Sequence, residues 1–278
     1  MGLARGAGLD GLAGMRPVWN DHGIEWHRPL LARHRAELQA YLQRHGLGWS
    51  DDPSNADDRF ARVKARRVVR ALQPLGITVE RLAGVVQNLA AARQAVVAAV
   101  ADAAATIVQE RAGECIMSRS GLTSLGPEVQ RRLLIAALRW VSSAGYAPRA
   151  DAVRRLEQAI FKGRDATLWG CRIRVSLTEV RIAREAKAAV AVCGTDQLWD
   201  GRWRLSGPHA AGHKVRALGA DGLRMCPNWR HTGASRDALV ASPAIWHGDR
   251  LISAPLAGFA AGWTARIVAG FSQFVVSH

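Results

Sequence analysis

The densest chemistry in this 278-residue sequence lies between residues 51 and 72. Asp51, Asp52, Asp57 and Asp58 flank a Pro-Ser-Asn turn, and six cations follow: Arg59, Arg62, Lys64, Arg66, Arg67 and Arg70. No carboxylate interrupts them between Arg59 and Leu72. Carboxylates in a turn can orient an amine or a metal, and a guanidinium fork engages two phosphate oxygens at once. The same residues admit a second reading, a solvated helix face whose arginines pair with the neighbouring aspartates. Spacing alone leaves both readings open.

Three other constellations carry less. Gly6-x-Gly8-x-x-Gly11 spells a dinucleotide fingerprint, yet that fingerprint needs a strand before it and a helix after it. Only five residues precede Gly6, and Pro17 follows soon after Gly11. His209 and His213 have the i, i+4 spacing of metal ligands on a helix, but Gly207, Pro208 and Gly212 make that segment a surface loop. Ser118 to Gly121 offers a serine without an assignable base. Cys115, Cys171, Cys193 and Cys226 form no C-x-x-C pair and read as reduced structural thiols, so no metal site is expected.

The elements that must position these groups follow from periodicity. Residues 5–17 read as a glycine-rich loop with at most one helical turn, and Leu30, Leu31, Leu38, Tyr41 and Leu42 predict a helix over 29–45. The acidic turn predicts a helix start near Arg59. Apolar residues at helical spacing extend from Glu80 to about Arg111, and Pro127 and Pro148 open two further helices, to Ser143 and Lys162. Short connections predict that these three form an antiparallel bundle. After Gly163 the texture alternates, with strands expected at 167–177, 179–185, 198–205, 214–218, 223–226, 244–246 and 251–253. The expected fold class is an α-rich α+β multidomain chain, divided into residues 1–72, 73–163 and 164–278.

Composition narrows the partners. Thirty-eight Lys and Arg against 23 Asp and Glu give a net charge of +15, which suits a polyanion such as nucleic acid, although a GC-rich genome that spells surface cations as Arg would give the same excess. No leader pattern is present at the start, which predicts a cytoplasmic protein. The most apolar stretch, Leu82 to Val108, is interrupted by Arg93, Gln94 and Asp102. It falls short of the roughly 20 uninterrupted apolar residues of a membrane span, and reads as a core helix.

One ordered set of residues is more specific. Arg5-Gly-Ala-Gly-Leu-Asp-Gly-Leu-Ala-Gly-Met15, Arg28-Pro-Leu-Leu31, Arg35, Tyr41, Trp49, Asp52-Pro-Ser-Asn55, Asp57 and Phe60-x-Arg62-x-x-x-Arg66 resemble the tRNA(Ile)-lysidine synthetase family over about seventy residues. Ala241 to Trp246 and Gly248 to Gly258 resemble the tail of these enzymes.

The resemblance implies a remnant of a PP-loop α/β domain (adenine nucleotide alpha hydrolase-like) over 1–72, a helical tRNA-binding middle domain, and a small strand-containing C-terminal domain. It also implies the chemistry: ATP adenylates the C2 oxygen of the wobble cytidine of a CAU-anticodon tRNA(Ile), and L-lysine displaces AMP to form lysidine. ATP and Mg²⁺ enter by resemblance, and a homodimer is compatible with it. On this reading Arg5, Asp51 and Asp52 are catalytic, and Gly6, Gly8, Gly11, Gly14 and Asn55 line the nucleotide and substrate pocket. Arg59, Arg62 and Arg66 hold tRNA phosphates or brace that pocket.

Members of the family open with a Ser-Gly-Gly-x-Asp-Ser loop, followed by a His-x-x-Asp-Asp region, and this sequence contains neither. The expectation is an N-terminally truncated chain without ATP pyrophosphatase activity of its own, poorly anchored over residues 1–72. Its alternative is a noncatalytic basic RNA-binding protein derived from such an enzyme.

Overall fold

The computed structural model describes residues 2–3, 7–21, 24–52, 57, 59–189 and 192–277, apart from the side chains of Asn20, Asp21 and Arg62. Arg5, Gly6, Asn55 and Asp58 lie outside the described residues. The chain divides into two compact units, Met1–Val97 and Ala98–Val276.

In the first unit, α1 (Leu9–Leu12) is the single turn expected of the glycine-rich loop. It is followed by an antiparallel hairpin of β1 (Val18–Asp21) and β2 (Ile24–His27). Trp19 and Trp26 face each other across the register and stack at 5.8 Å, and the Arg28 guanidinium lies 3.9 Å from the Trp19 ring centre. Helix α2 (Arg35–Arg44) starts later than expected because 29–34 are spent on turns. The His34 N–H then donates to the Glu37 carboxylate at 3.2 Å, closing a capping box. Helix α3 (Ala61–Ala71) carries the cations, and Gly76, at φ +75°, ends the short 3₁₀ turn behind it. Helix α4 runs over Val79–Ile107.

This unit has almost no core. Ala13 and Val63 are its buried apolar residues among those described, whereas Met15, Ile24, Leu30, Val68, Leu75 and Val85 are each more than half exposed. The core-helix expectation for α4 is therefore corrected: the most apolar 18-residue window of α4 has mean hydropathy 1.3, and only 22% of it is buried. By length and composition alone the helix is long and apolar enough to cross a membrane, with Arg93, Gln94 and Asp102 still interrupting its apolar run. The sheet here is the antiparallel β1–β2 pair, and no parallel strand pair of a PP-loop domain occurs among the described residues.

The second unit is well packed. Strand β3 (Val108–Arg111) follows α4 directly, so the helix stops four residues short of its expected end. It pairs with β4 (Glu114–Ser118) through Ala112-Gly113 at φ +48° and +81°, the left-handed pair that a two-residue hairpin requires. Helix α5 (Arg119–Ser124) is capped by the Ser118 hydroxyl, which accepts from the Gly121 N–H at 3.1 Å. Helices α6 (Pro127–Ser142) and α7 (Ala150–Phe161) precede strands β5 (Ala166–Leu168), β6 (Cys171–Val175) and β7 (Glu179–Arg184). The antiparallel sheet has the order β3-β4-β7-β6-β5.

Leu133, Leu134, Leu138, Val153 and Ile160 of the two helices are fully buried, as are Cys115, Met117, Ile173, Val180 and Ile182 of the sheet. Each such aliphatic side chain contributes about 1.5–3 kcal/mol relative to exposure. The three-helix bundle is corrected accordingly. Strand β4, hairpinned to β3, pairs with β7, so α6 and α7 pack on a sheet, and that sheet crosses the expected boundary at 163/164.

The chain continues through β8 (Cys193–Gly194), β9 (Trp203–Ser206), β10 (His213–Ala217), α8 (Gly219–Arg224), α9 (Arg236–Val240), β11 (Pro243–His247), β12 (Arg250–Ser253), β13 (Thr264–Ile267) and α10 (Phe271–Ser277). These strands build a four-stranded sheet, β12-β11-β10-β8, and a pair, β13-β9. Trp199, Trp203, Leu205, Val215, Ile245 and Trp263 form one buried cluster, and Leu218, Leu223, Cys226, Leu239 and Trp246 belong to another. The strand expected at 223–226 is instead the end of α8.

Candidate nucleic-acid interface

Of the residues singled out by sequence, Gly8 is the N-cap of α1, Gly11 lies within it, and Gly14 follows it at φ +68°. A Cβ on Gly14 would sit 2.9 Å from the Val86 side chain, so α4 and the loop meet closely there. The Gly14 carbonyl accepts from Arg93 Nη1 at 3.4 Å, which accounts for a buried arginine on α4. The groove beside this contact encloses about 770 Å³ and is lined mainly by apolar groups such as Met15, Pro17, Leu31, Leu82 and Val86, with His27 and Arg28 at its polar side. Such a lining suits a flat apolar or aromatic group better than a triphosphate.

The acidic turn and the cations are partly self-satisfied. Asp51 is ion-paired with Arg35 of α2. Asp57 accepts from Arg59 Nε at 2.9 Å and Nη2 at 2.7 Å, and from the Arg59 backbone N–H at 2.9 Å. The guanidinium hydrogen bonds, with the backbone one behind them, hold the Asp57 carboxyl below its usual range, and the same pairing raises Arg59. Arg59 thus follows the paired reading, and it precedes α3 instead of opening it. Arg66 projects from α3 as an exposed guanidinium beside Arg70, Val69 and Gln73. Asp52 is exposed.

A second cationic surface, in the second unit, was missed by sequence reading. In the register Arg174 stands opposite Arg181 and Arg172 opposite Ala183, so β6 and β7 place three guanidiniums on the sheet face away from α6 and α7. Their charge is nearly balanced. Asp237 accepts from Arg174 Nε at 2.8 Å and Arg172 Nη1 at 3.2 Å, while Asp165 accepts from Arg174 Nη1 at 2.6 Å. Those two carboxylates, Asp237 foremost, push the Arg174 pKa upward. Arg181 bonds to Glu179 at 2.9 Å and to Glu114 at 3.2 Å.

Glu114 is completely buried and also accepts from the Ser235 hydroxyl at 2.7 Å and the Ser235 N–H at 3.3 Å. The alternation Cys171-Arg-Ile-Arg-Val175, read with Glu179-Val-Arg-Ile-Ala183, signals one apolar and one cationic face. What no local signal gives is the return of Ser235 and Asp237, more than fifty residues later, to neutralise it.

His213 is a strand residue of β10 and His209 bonds through Nδ1 to the Thr195 hydroxyl at 2.8 Å, with both rings beside Trp263. No group of three or more His, Cys, Asp or Glu side chains able to hold a metal occurs among the described residues.

Comparison with known proteins supplies the family. Residues 1–72 match a model described as a PP-loop domain. The tRNA(Ile)-lysidine synthase of Ruegeria pomeroyi is 41% identical over 278 residues, all of this chain and 66% of that protein. The enzymes of that name from Hyphomonas neptunium and Anaplasma marginale are 34% and 26% identical, over 66% and 92% of this chain and 52% and 61% of their own lengths. The chain thus spans between about half and two thirds of the curated relatives it matches. Similarity along the full length, joined to the PP-loop match at its start, places the chain in the tRNA(Ile)-lysidine synthase family.

Proposed function

We propose that the chain serves lysidine formation: it grips the CAU-anticodon tRNA(Ile) and forms part of the wall of the site where ATP activates C2 of the wobble cytidine and lysine replaces AMP. The observation that carries this reading is the 41% identity along the whole chain to a tRNA(Ile)-lysidine synthase. The net charge of +15 supports a polyanionic substrate, and that substrate in turn supports a cytoplasmic place of work.

In this reading Arg5 and the loop from Gly6 through Gly8 and Gly11 to Gly14 face the nucleotide and the wobble base. Asp51, Asp52 and Asn55 orient the substrates, and carboxylates there would hold the lysine ammonium before it loses its proton. Arg59, Arg62 and Arg66 lie along tRNA phosphates, with Arg66 offering an exposed guanidinium for that contact.

The sequence lacks the Ser-Gly-Gly-x-Asp-Ser loop that cradles pyrophosphate in the family, so the chain is proposed to bind tRNA without turning over ATP by itself. Incubation with CAU-anticodon tRNA, lysine and ATP tests both halves: tRNA is retained on a filter and AMP release stays at background. AMP release dependent on both tRNA and lysine would refute the inactivity, and failure to retain tRNA would refute the function.

A further inference from the structure

The balanced arginine face borders a pocket of different character. It encloses about 470 Å³ and is lined by Ala220, Leu223, Cys226 and Pro227, the Trp229 indole, and the guanidiniums of Arg224, Arg230 and Arg236. Arg236 also lines the neighbouring pocket over β6 and β7, so the two share a wall. The neighbouring pocket is close to neutral, because Arg172, Arg174 and Arg181 meet Asp237, Asp165, Glu179 and Glu114. In the 470 Å³ pocket Arg224 pairs with Asp221, and among the described residues neither Arg230 nor Arg236 has a carboxylate partner. Arg230 lies over the Trp229 ring at 4.6 Å from its centre, and Arg236 makes no ion pair among the described residues.

The segment that carries these groups is fixed on both sides of the free cation. Ser235 is held by the buried Glu114 and caps α9 by accepting from the Ala238 N–H at 3.1 Å. Asp237 is held by Arg172 and Arg174. Upstream, the Thr232 hydroxyl donates to the Trp229 carbonyl at 2.7 Å, and Arg111 Nη1 donates to the Gly233 carbonyl at 3.0 Å. Residues 235 and 237 are thus spent on anchoring, and Arg236 is presented between them, immobilised at its backbone, without an ion-pair partner among the described residues. An unpaired guanidinium beside an arginine stacked on an indole matches a phosphate-bearing flat heterocycle: the phosphate takes the Arg236 fork, and the base stacks on the guanidinium plane over Trp229. The volume fits one nucleotide.

We infer that this pocket binds one unpaired nucleotide of the RNA substrate. The inference rests on the proposed tRNA reading and adds to it a site in the second unit where a single base is held out of its helix.

The test is filter binding of the full chain to CAU-anticodon tRNA at two salt concentrations, with Arg230→Ala, Arg236→Ala and, as a control outside the pocket, Arg154→Ala. Arg236 and Arg230 are exposed, so the variants fold. Each pocket variant is expected to bind tRNA about tenfold more weakly, and Arg236→Ala lowers the slope of log affinity against log salt by about one. Arg154→Ala stays within about twofold of the parent. A blunt RNA duplex, which offers no unpaired base, is expected to bind the parent and Arg236→Ala equally. Adenosine monophosphate, followed by Trp fluorescence, separates a free nucleotide from an RNA one: quenching that tRNA does not reverse would overturn the assignment to RNA. Unchanged tRNA affinity in both pocket variants, with the parent binding tRNA, would overturn the pocket and leave the proposed function standing. Loss of tRNA binding in the parent itself would overturn both.

Discussion

Glu114→Ala removes the carboxylate that holds Ser235, and its cost can be worked from the geometry. Glu114 is fully buried and takes three hydrogen bonds, from the Ser235 hydroxyl at 2.7 Å, the Arg181 guanidinium at 3.2 Å and the Ser235 N–H at 3.3 Å. Breaking a buried ion pair by removing one partner costs about 3–5 kcal/mol when the other charge is stranded. Arg181 is not stranded, because its side chain is 32% exposed and keeps Glu179 at 2.9 Å. The loss is then chiefly that of the Ser235 bonds to a charged acceptor, about 1.5–3 kcal/mol each and not additive, plus a small cavity. A total of about 3 kcal/mol follows, which for a unit of this size lowers Tm by roughly 6–12 °C. Glu114→Gln keeps the volume and one acceptor oxygen and costs about half as much. Urea unfolding followed by Trp fluorescence reads both variants. An Ala variant within about 0.5 kcal/mol of the parent would refute the argument that Glu114 anchors Ser235.

Three further outcomes follow from the same geometry. Gly113→Ala places a Cβ at φ +81° and 2.5 Å from the buried Trp203 ring, and is expected to lose about 2–4 kcal/mol in urea unfolding. Glu128 accepts hydrogen bonds from Arg131 and, behind it, Arg132, which hold its carboxyl at about 2 against an ordinary value of 4.5. A depressed folded-state value stabilises above the unfolded pKa and loses that contribution as pH falls from about 4.5 through 2. With a side chain 43% exposed the contribution is discounted to under about 1 kcal/mol, so Glu128→Gln should be less stable than the parent at pH 7 and converge on it only as pH falls to about 2. Cys115 and Cys171 are fully buried, and burial pushes the Cys171 thiol up to about 12 and Cys115 well upward. A thiol reagent is accordingly expected to modify the half-buried Cys193 first and to reach Cys115 and Cys171 only on unfolding, as peptide mapping of the labelled chain would show.

How far the fold was legible depended on whether the signal was local. The helix opened by Pro127 and the strands expected at 179–185 and 244–246 fall within a residue or so of their places, because each buries one face in a well-filled core; α7 begins at Ala150, two residues after Pro148, and the strand expected over 167–177 is split at Trp169-Gly170 into β5 and β6. The hairpins did not announce themselves. Ala112-Gly113 joins two short strands, and that Ala-Gly signal was overridden by the alanine-rich helical pattern running into it from α4. Reading 108–111 as helix hid β3 and β4, and without them α6 and α7 had no sheet to pack on and were paired with α4 instead. The apolar period of α4 was real, yet periodicity reports which face is apolar and not whether anything covers it.

The candidate site divides in the same way. Asp57 and Arg59 were visible as neighbours in sequence, and Arg66 as part of a charge run. The free Arg236 between two anchored residues depends on Glu114 and Arg172, more than sixty residues away, and only the assembled sheet brings them together.

The central claim, that this basic chain recognises a particular tRNA and not merely a polyanion, is tested most directly by competing CAU-anticodon tRNA(Ile) against an unrelated elongator tRNA for the full chain at low and at physiological salt. Non-specific binding falls steeply with salt, whereas a preference built on shape and base contacts persists. The account predicts that the CAU-anticodon tRNA remains bound, at least about tenfold more tightly, when the competitor has been released. Equal affinities that collapse together as salt rises would contradict it.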